Sequence, residues 1–250
     1  MDKGRTGLVN CAEYWRDEYP QITVLGIHDT ADTSTSCGAD PSIIELGDIR
    51  IAVLNYTYGT NGISLPADMP YAVDLLNEEQ VAADIQRAEE LADFTIVCPH
   101  WGTEYRLTSD ASQEKWTRIF AGNGADLVLG THPHVIEPID WVIDEESDHE
   151  MLVYYSLGNF VNWTSGTGEG VANRMVGGMA EVTITKNDNG EVEIEDYGVK
   201  PIISHVISGP EGVTTYFLSD YTDVLSEENE IRSQDPEFSR EYCINLCNTC

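Results

Sequence analysis

The sequence predicts an α/β protein with a mixed β-sheet, and three features lead to that class. The chain has 250 residues, of which 41% are hydrophobic and 9% aromatic, enough to build the core of one large globular domain. Between residues 77 and 130, helical segments alternate with apolar runs, an order typical of parallel strands joined by crossovers. Beyond residue 176, two alternating runs flank an Asn-Asp-Asn-Gly turn and predict an antiparallel hairpin.

The first predicted strands lie where β-branched and aromatic residues are frequent. Residues 22–27 (ITVLGI) and 49–58 (IRIAVLNYTY) both have the composition of a strand. The turn ELGD precedes the second run and predicts a hairpin that begins at Ile43.

Two helices and two strands then follow in alternation. The first helix begins after Asn77 with a capping-box pattern, because Gln80 stands three residues later. Residues 94–98 (FTIVC) form an apolar run typical of a strand covered on both faces. A second helix is predicted over 112–124, and it leads into a strand over 126–130 (DLVLG).

The remaining segments complete the predicted domain. Residues 151–156 (MLVYYS) form another strand, and the hairpin follows it. We expect residues 1–205 to form one domain and residues 206–250 to be a covering segment of the same domain. The sequence has no internal repeat and no low-complexity segment.

The charge of the chain argues against several classes of partner. It contains 13 basic and 44 acidic side chains, a formal net charge of −31. Such a surface repels phosphate backbones and anionic lipid headgroups, so we expect no nucleic-acid partner and no membrane contact by this segment. We recognise no signal peptide near Met1, no apolar run long enough for a transmembrane helix and no motif for an organic cofactor.

The cysteines near the end of the chain allow two interpretations. Cys243, Cys247 and Cys250 have the spacing C-x3-C-x2-C, which can hold an iron–sulfur cluster. The favoured alternative is that SREYCINLCNTC is an amphipathic helix. Cys98, at the end of a strand, is interpreted as a small buried apolar residue.

Three of the six histidines stand in loops directly after predicted strands, namely His100 in PHWGTEY and His132 and His134 in THPH. Because the carboxyl ends of parallel strands meet at one edge of a sheet, we expect these imidazoles to lie together. Pro133 favours an extended conformation at His132, in which side chains two residues apart point the same way. Such imidazoles with nearby carboxylates predict a transition-metal site, although a lone histidine is more often a structural donor in its loop.

The run from PHWGTEY through GADLVLGTHPHVIEPIDWV to LVYYSLGNFV resembles the CapA family of bacterial capsule and poly-γ-glutamate synthesis proteins. These proteins belong to the calcineurin-like metallophosphoesterase superfamily. The resemblance extends from about residue 2 to about residue 225, and it implies a partial calcineurin-like metallophosphoesterase fold, an α/β/β/α sandwich with mixed sheets. Asp2 and Gly4 match the stretch that directly follows the family's Asn-Asn-His motif, so we expect the N-terminal βα units and their metal ligands to precede this chain.

The resemblance also implies metal-site and catalytic roles. His100 matches the single metal-site histidine of the family, while His132 and His134 match the paired histidines of a two-metal centre. Glu104 matches an acidic residue of the same pocket and would orient water or substrate, so Glu104 and His100 are the expected catalytic residues. The complete protein would use two divalent ions of Mn, Fe or Zn.

Three further residues are assigned to substrate binding by the same resemblance. Tyr105 matches an aromatic residue of the pocket, but it is equally well explained as a packed phenol. Asn159 lies in the Gly-Asn-Phe turn, where a buried amide that fixes the loop is the stronger interpretation. Arg174 follows that turn and could meet an anionic group, with an exposed surface arginine as the alternative.

The resemblance implies a protein of capsule or poly-γ-glutamate synthesis with a metal-dependent phosphoesterase-type pocket. Its expected partner is the capsule polymer or its synthesis machinery, and its expected location is the cell envelope outside the cytoplasm. Two alternatives remain at this point: a non-catalytic accessory protein that binds or exports polymer, and an inactive fragment of a metallophosphoesterase.

Overall fold

A computed structural model of the chain describes residues 3–249 and shows an α/β protein. Within this range, nine strands form one sheet of six strands and one of three, and the chain also contains five α-helices, the first of which precedes all the strands. The predicted α/β class with mixed sheets is confirmed, because the larger sheet contains both antiparallel and parallel pairs.

The larger sheet contains most of the strands that the sequence predicts. In chain order its members are β1 (Ser42–Leu46), β2 (Ile49–Thr57), β3 (Phe94–His100), β4 (Leu127–Leu129), β5 (Ile139–Ile143) and β6 (Glu150–Tyr154). Their order across the sheet is β1-β2-β3-β4-β6-β5. β1 and β2 form the predicted hairpin, and β2, β3 and β4 are parallel. The loops that follow β3 and β4 therefore leave from the same edge of the sheet.

The smaller sheet is antiparallel and lies in the second half of the chain. It consists of β7 (Val176–Lys186), β8 (Val192–Val206) and β9 (Val213–Phe217). The turn between β7 and β8 contains the Asn-Asp-Asn-Gly motif, so the hairpin predicted there is confirmed. Two short helices follow, α4 (Asp223–Glu228) and α5 (Arg240–Cys247).

The predicted helix between β2 and β3 begins where its capping box places it. The first three helices are α1 (Gly4–Glu18), α2 (Glu78–Leu91) and α3 (Ala111–Ala121). At the start of α2, the backbone N–H of Gln80 donates to Asn77 Oδ1 over 3.1 Å. The predicted apolar face of α2 is buried at Val81, Ile85 and Ala88.

One predicted strand is wrong, and four helices or strands were not predicted. Residues 22–27 form no strand in the described chain and contribute only an isolated bridge from Ile27 to Val73. A strand needs a neighbour, and β2 is already paired on both sides by β1 and β3. Ile22 and Val24 consequently stay 46% and 37% exposed. The helices α1 and α4 and the strands β5 and β9 were not recognised from the sequence.

The chain divides into two compact units by its internal contacts. The first consists of Met1–Trp101, Lys115–Val128 and Trp141–Leu152, and the second of Gly102–Glu114, Leu129–Asp140 and Val153–Cys250. The predicted division into a domain over 1–205 and a covering segment over 206–250 stays a prediction.

Each unit has its own aromatic core. In the first, Phe120 stacks on both Trp101 and Trp116, with ring centroids 5.7 and 5.8 Å apart. In the second, Tyr221 and Phe238 are both buried and meet edge to face. Rings of this size contribute much of the apolar area that a core removes from water.

The C-terminal cysteines confirm the helical interpretation as far as the structure describes them. Cys243 and Cys247 lie in α5, and burial raises the pKa of the Cys243 thiol to about 12. Cys250, the last cysteine of the motif, lies outside the described residues. Among residues 3–249, no helix is long and apolar enough to cross a membrane.

A cluster of two acidic side chains, the half-buried Asp126 and the more exposed Glu89, lies near the start of β4 in the first unit. The backbone N–H of Thr95 donates to Asp126 Oδ2 over 2.6 Å, while the Thr95 hydroxyl donates to Glu89 Oε1 over 2.6 Å. The pKa of Asp126 is raised to about 7, chiefly by burial and also by the charge of Glu89, while the Thr95 N–H and His149 act in the opposite direction. Burial also raises the pKa of Glu89.

This cluster predicts a loss of stability as the pH rises. An aspartate whose pKa is higher in the folded state than its ordinary value near 3.9 stabilises the fold fully only below that value. The free energy of unfolding should therefore fall between about pH 4 and about pH 7, by roughly 3 kcal/mol from this group. Asp126→Asn should remove that part of the pH dependence, as measured by urea unfolding at successive pH values.

The matched control is Asp188→Asn, which removes one acidic group from an exposed turn. It should keep the wild-type difference between pH 4 and pH 7. If Asp126→Asn retains the same pH dependence as Asp188→Asn, the carboxyl of Asp126 does not titrate in this range.

Candidate metal site

The candidate site is built from two loops of the second unit, Gly102–Glu114 and Leu129–Asp140. The first follows β3 and carries Glu104 and Tyr105, and the second follows β4 and carries His132 and His134. The backbone N–H of Tyr105 donates to the carbonyl of Pro133 over 2.7 Å, which joins the two loops directly.

Glu104, His132 and His134 come together in these loops. One carboxylate oxygen of Glu104 and one ring nitrogen of each histidine lie within 4.8 Å of one another. Glu104 is exposed and both imidazoles are partly buried, so the cluster opens to solvent at the carboxylate. Two imidazoles and one carboxylate are a ligand set typical of Zn²⁺, Mn²⁺ or Fe²⁺ at a site that keeps an open position. The residues present therefore fit one divalent transition-metal ion.

The backbone reaches this arrangement in a different way from the predicted one. The sequence predicted an extended backbone at His132 and His134, and that prediction is wrong. Their φ angles are +106° and +62°, and Tyr105 has a φ of +68°. Non-glycine residues in this region are uncommon and carry strain that the surrounding contacts must hold. The two imidazoles converge because the loop turns at both histidines, and alternation along a strand plays no part.

The amide of Asn159 fixes the tautomer of His134. Its Nδ2 group donates to the carbonyls of His134 and Arg174, each over 3.0 Å. The side-chain oxygen must then be the atom that lies 3.0 Å from His134 Nδ1, so Nδ1 carries the proton and donates. This leaves the lone pair on Nε2 available for a metal ion. The structure supports the loop-fixing interpretation of Asn159, and its contact with substrate stays a prediction.

The surroundings of His132 favour its neutral form. Burial lowers the pKa of His132 and His134 lowers it as well, while Glu104 acts in the opposite direction. A neutral imidazole is the form that binds a metal ion. The ring of Tyr105 stacks on that of His134 with centroids 5.9 Å apart, so Tyr105 is packed at the site while remaining 45% exposed.

The Tyr105 ring, which stacks on His134, also contacts the guanidinium of Arg174. Its guanidinium carbon is 3.7 Å from the centroid of the Tyr105 ring, and Nη1 donates to Thr164 Oγ1 over 3.2 Å. Its Nε is buried and makes no hydrogen bond to any described residue, and no described carboxylate pairs with the guanidinium. Arg174 is therefore a cation held in place by an aromatic ring, next to the candidate ligands.

The turn that carries Asn159 and the strand β7 beside it each require one glycine. Gly158 has a φ of +65°, and a Cβ atom there would lie 2.8 Å from the carbonyl oxygen of Val176. A Cβ atom on Gly177 would lie 2.1 Å from the carbonyl oxygen of Asn159. Only residues without a side chain allow these two backbones to approach so closely.

Sequence reasoning missed a buried polar pair, Gln113 and Glu137. The amide nitrogen of Gln113 donates to Glu137 Oε2 over 2.6 Å, and the Gln113 oxygen accepts from the backbone N–H of Asp110 over 2.9 Å. Asp110 in turn caps α3 by accepting from the N–H of Gln113 over 3.0 Å. Residues 110–113, Asp-Ala-Ser-Gln, form a capping box. This pattern could have predicted the contact between Asp110 and Gln113 from the sequence. A Cβ atom on Gly102 would lie 2.7 Å from the Gln113 side chain, so Gln113 also contacts the start of the loop that carries Glu104.

The other histidines belong to local hydrogen-bond networks. His100 ends β3 in the first unit, where its Nδ1 is 3.1 Å from Thr57 Oγ1 and its ring stacks on Tyr58. Its metal-binding and catalytic roles stay predictions. His28 lies 2.9 Å from Asp74 Oδ2, His149 lies 2.7 Å from the Ala125 carbonyl, and His205 lies 3.1 Å from the Tyr221 hydroxyl.

Curated relatives match part of this chain. It is 32% identical over 133 residues to the PGA biosynthesis protein CapA of Bacillus subtilis strain 168, a match that covers 48% of this chain and 31% of the relative. It is 30% identical over 124 residues to the capsule biosynthesis protein CapA of Bacillus anthracis, covering 46% of this chain and 28% of the relative. The match thus spans less than a third of either relative.

Solved structures of similar proteins include two nucleotidases. The NAD nucleotidase of Haemophilus influenzae is 13% identical with a TM-score of 0.48, and the comparison covers 100% of this chain and 44% of that one. The 5′-nucleotidase precursor of Thermus thermophilus is 17% identical with a TM-score of 0.40, covering 71% of this chain and 31% of that one.

A family profile matches a longer stretch than either relative does. It is described as bacterial capsule synthesis protein PGA_cap, and it matches residues 1–164. That range contains both loops of the candidate site and the Gly-Asn-Phe turn. This chain of 250 residues therefore belongs to the PGA_cap family of bacterial capsule synthesis proteins.

Proposed function

We propose that this chain carries a divalent-metal pocket of the phosphoesterase type and acts in the synthesis of a capsule polymer. One observation carries the proposal: ligand atoms of Glu104, His132 and His134 lie within 4.8 Å of one another. The resemblance to the CapA family assigns these three residues, together with His100, to the metal pocket.

The chemistry of the donor set supports hydrolysis. A divalent ion bound there would polarise an ester oxygen of the substrate and lower the pKa of a bound water. Within the chain, the Nδ1–H bond of His134 to Asn159 leaves the Nε2 lone pair available for the ion. Glu104, the exposed member of the cluster, is the side chain that a water or substrate molecule would meet first.

The charge around Arg174 supports an anionic substrate. In a chain with a net charge of −31, Arg174 is a guanidinium without a carboxylate partner among the described residues, and Tyr105 links it to His134. We assign Arg174 to an anionic group of the substrate, such as a phosphoryl or carboxylate group. Tyr105 is assigned to positioning of Arg174 and His134.

The relatives support a role in the cell envelope. The Bacillus subtilis protein is named for PGA biosynthesis and the Bacillus anthracis protein for capsule biosynthesis, and we extend that role to this chain. A polymer with many carboxylates would meet a surface of the same sign, so its contact should be confined to the metal pocket and Arg174. The partner we propose is therefore the capsule polymer or its synthesis machinery.

The first prediction from this proposal concerns metal binding. The double variant His132→Ala/His134→Ala removes two of three ligands, and its affinity for Mn²⁺ or Zn²⁺ should fall by more than about 100-fold. Isothermal titration of the apo-protein, followed by elemental analysis after dialysis, measures this loss. His149→Ala is the matched control, because its imidazole bonds to the Ala125 carbonyl in the first unit. Equal metal content in all three proteins would disprove the pocket.

The second prediction concerns Asn159. Asn159→Ala keeps all three ligands but removes the acceptor that fixes the His134 tautomer, so metal affinity should fall by about 10- to 100-fold. The loss should be smaller than that of the double histidine variant in the same titration. Asn189→Ala, in the exposed turn between β7 and β8, is the control and should bind metal as the wild type does. An unchanged affinity in Asn159→Ala would show that the amide does not position His134.

The third prediction concerns catalysis. With Mn²⁺ present, the chain should hydrolyse bis(p-nitrophenyl) phosphate or p-nitrophenyl phosphate, and Arg174→Gln should raise KM by about 10-fold or more while leaving metal affinity unchanged. Arg118→Gln, which changes an exposed arginine of α3, should leave KM unchanged. Metal binding and polymer binding without metal-stimulated hydrolysis of any probe would refute the enzyme and identify an accessory protein.

A further inference from the structure

The second unit contains a cavity that the proposed function does not use. Its volume is about 270 Å³, and neither Glu104, His132 nor His134 lines it. Apolar side chains form most of its wall, chiefly Ile136, Ile139, Leu157, Val199 and Pro201. A single water molecule occupies about 30 Å³ in the liquid, so this space is large enough for a small organic molecule.

One charged side chain lines this apolar cavity. Glu137 is only 2% exposed, and its Oε2 accepts the hydrogen bond from Gln113. Its Oε1 is buried and accepts no hydrogen bond from any described residue. A buried carboxylate oxygen without a donor is costly, because the water that solvated it in the unfolded chain has been removed.

Gln113 and the two hydroxyl groups of the cavity wall do not supply the missing donor. The Gln113 amide that serves Oε2 is also 3.4 Å from the Tyr155 carbonyl, and its oxygen already accepts from Asp110. The two hydroxyl groups that line the cavity donate elsewhere, Ser156 to the Val135 carbonyl over 2.8 Å and Tyr154 to the Gly198 carbonyl over 3.0 Å. The donor for Oε1 must therefore come from outside this set of side chains.

We propose that this cavity is a binding site for a small organic ammonium ion whose apolar body fills the cavity and whose ammonium group donates to Glu137. Three observations support this ligand class: the apolar wall, the unpaired carboxylate oxygen and the net charge of −31. A protein of this charge raises the local concentration of cations and repels anions. A neutral apolar molecule would leave the carboxylate oxygen without a donor.

Two glycines form part of the cavity wall, and neither has room for a side chain. Gly177 and Gly178 both line it, and a Cβ atom on Gly178 would lie 2.7 Å from Val199 Cγ1. A larger residue at Gly178 would therefore collide with Val199 on β8, and one at Gly177 would collide with the Asn159 carbonyl. Val199, on β8, is the better position for blocking the cavity, because its side chain already lies in the wall.

The probe for this site is 2-phenylethylammonium, which has one ammonium group and a compact apolar body. In ¹H–¹³C correlation spectra of the whole chain, the probe should shift the methyl signals of Ile139, Leu157 and Val199 in a saturable way. Glu137→Gln should weaken binding by about 10-fold or more, because a charge-assisted hydrogen bond is replaced by a neutral one. 2-Phenylethanol and phenylacetate, which lack the positive charge, should bind at least about 10-fold more weakly than the ammonium.

Two further variants separate the site from general effects of charge or folding. Glu195→Gln removes an equal charge from an exposed position of β8 and should bind the probe as the wild type does. Val199→Trp fills the cavity while Glu137 stays in place, so it should abolish the methyl shifts even if Glu137→Gln fails to fold. Thermal unfolding of each variant checks that it is folded.

Several outcomes would overturn the proposal. They are the absence of saturable binding to the wild type, equal binding to Glu137→Gln and Glu195→Gln, and equal binding of the ammonium and phenylacetate. Ordered water alone in the cavity of a crystal soaked with the probe would also overturn it. Metal binding by Glu104, His132 and His134 is measured separately, so either proposal can fail without the other.

Discussion

The hydrogen bonds of one amide, that of Asn159, hold the candidate site together. Asn159 donates to the carbonyls of His134 and Arg174 and accepts from the His134 ring, so three separate parts of the second unit meet at one side chain. The close approach of Gly177 to the Asn159 backbone makes this position possible. The ligand geometry of His134 and the location of the Arg174 cation thus depend on the same residue, and a change there should disturb both.

Sequence patterns predicted those parts of the fold that local chemistry determines. The cap of α2 at Asn77 and the β7–β8 hairpin depend on residues close in the chain, and both form as expected. The run at 22–27 has the composition of a strand, but a strand depends on a partner that composition does not reveal. Both sides of β2 are already paired, with β1 and with β3, so residues 22–27 cannot pair with that strand.

In the candidate site, the sequence likewise predicted which residues take part but not the backbone conformation that brings them together. Strand-end position and the spacing of THPH predicted that His132 and His134 share a site, and one ring nitrogen of each lies within 4.8 Å of a Glu104 oxygen. The backbone at both histidines has positive φ, which the extended conformation expected around Pro133 does not allow. Positive φ at non-glycine residues is imposed by contacts such as the bond from Tyr105 to the Pro133 carbonyl, and a sequence pattern contains no information about them.

The buried acidic side chains of this chain differ in how many hydrogen bonds their carboxylate oxygens accept, and this difference points to function. Asp84, 4% exposed, accepts from Thr35, Gln80 and Tyr56 at 2.8 Å each, which is the environment of a structural carboxylate. Glu137 is as buried as Asp84 but has a donor at only one oxygen.

Three acidic residues of the described chain, Asp84, Glu137 and Asp235, are at most 4% exposed, so burial alone is no sign of a binding site. An unsatisfied oxygen beside an apolar cavity is a more specific sign, because its free-energy cost falls when a donor enters. The same reasoning applies to Arg174, whose Nε is buried without a partner among the described residues and whose guanidinium meets an aromatic ring in place of a carboxylate. In both cases the polar group that the fold leaves unpaired indicates the charge of the molecule it would bind: a cation at Glu137 and an anion at Arg174.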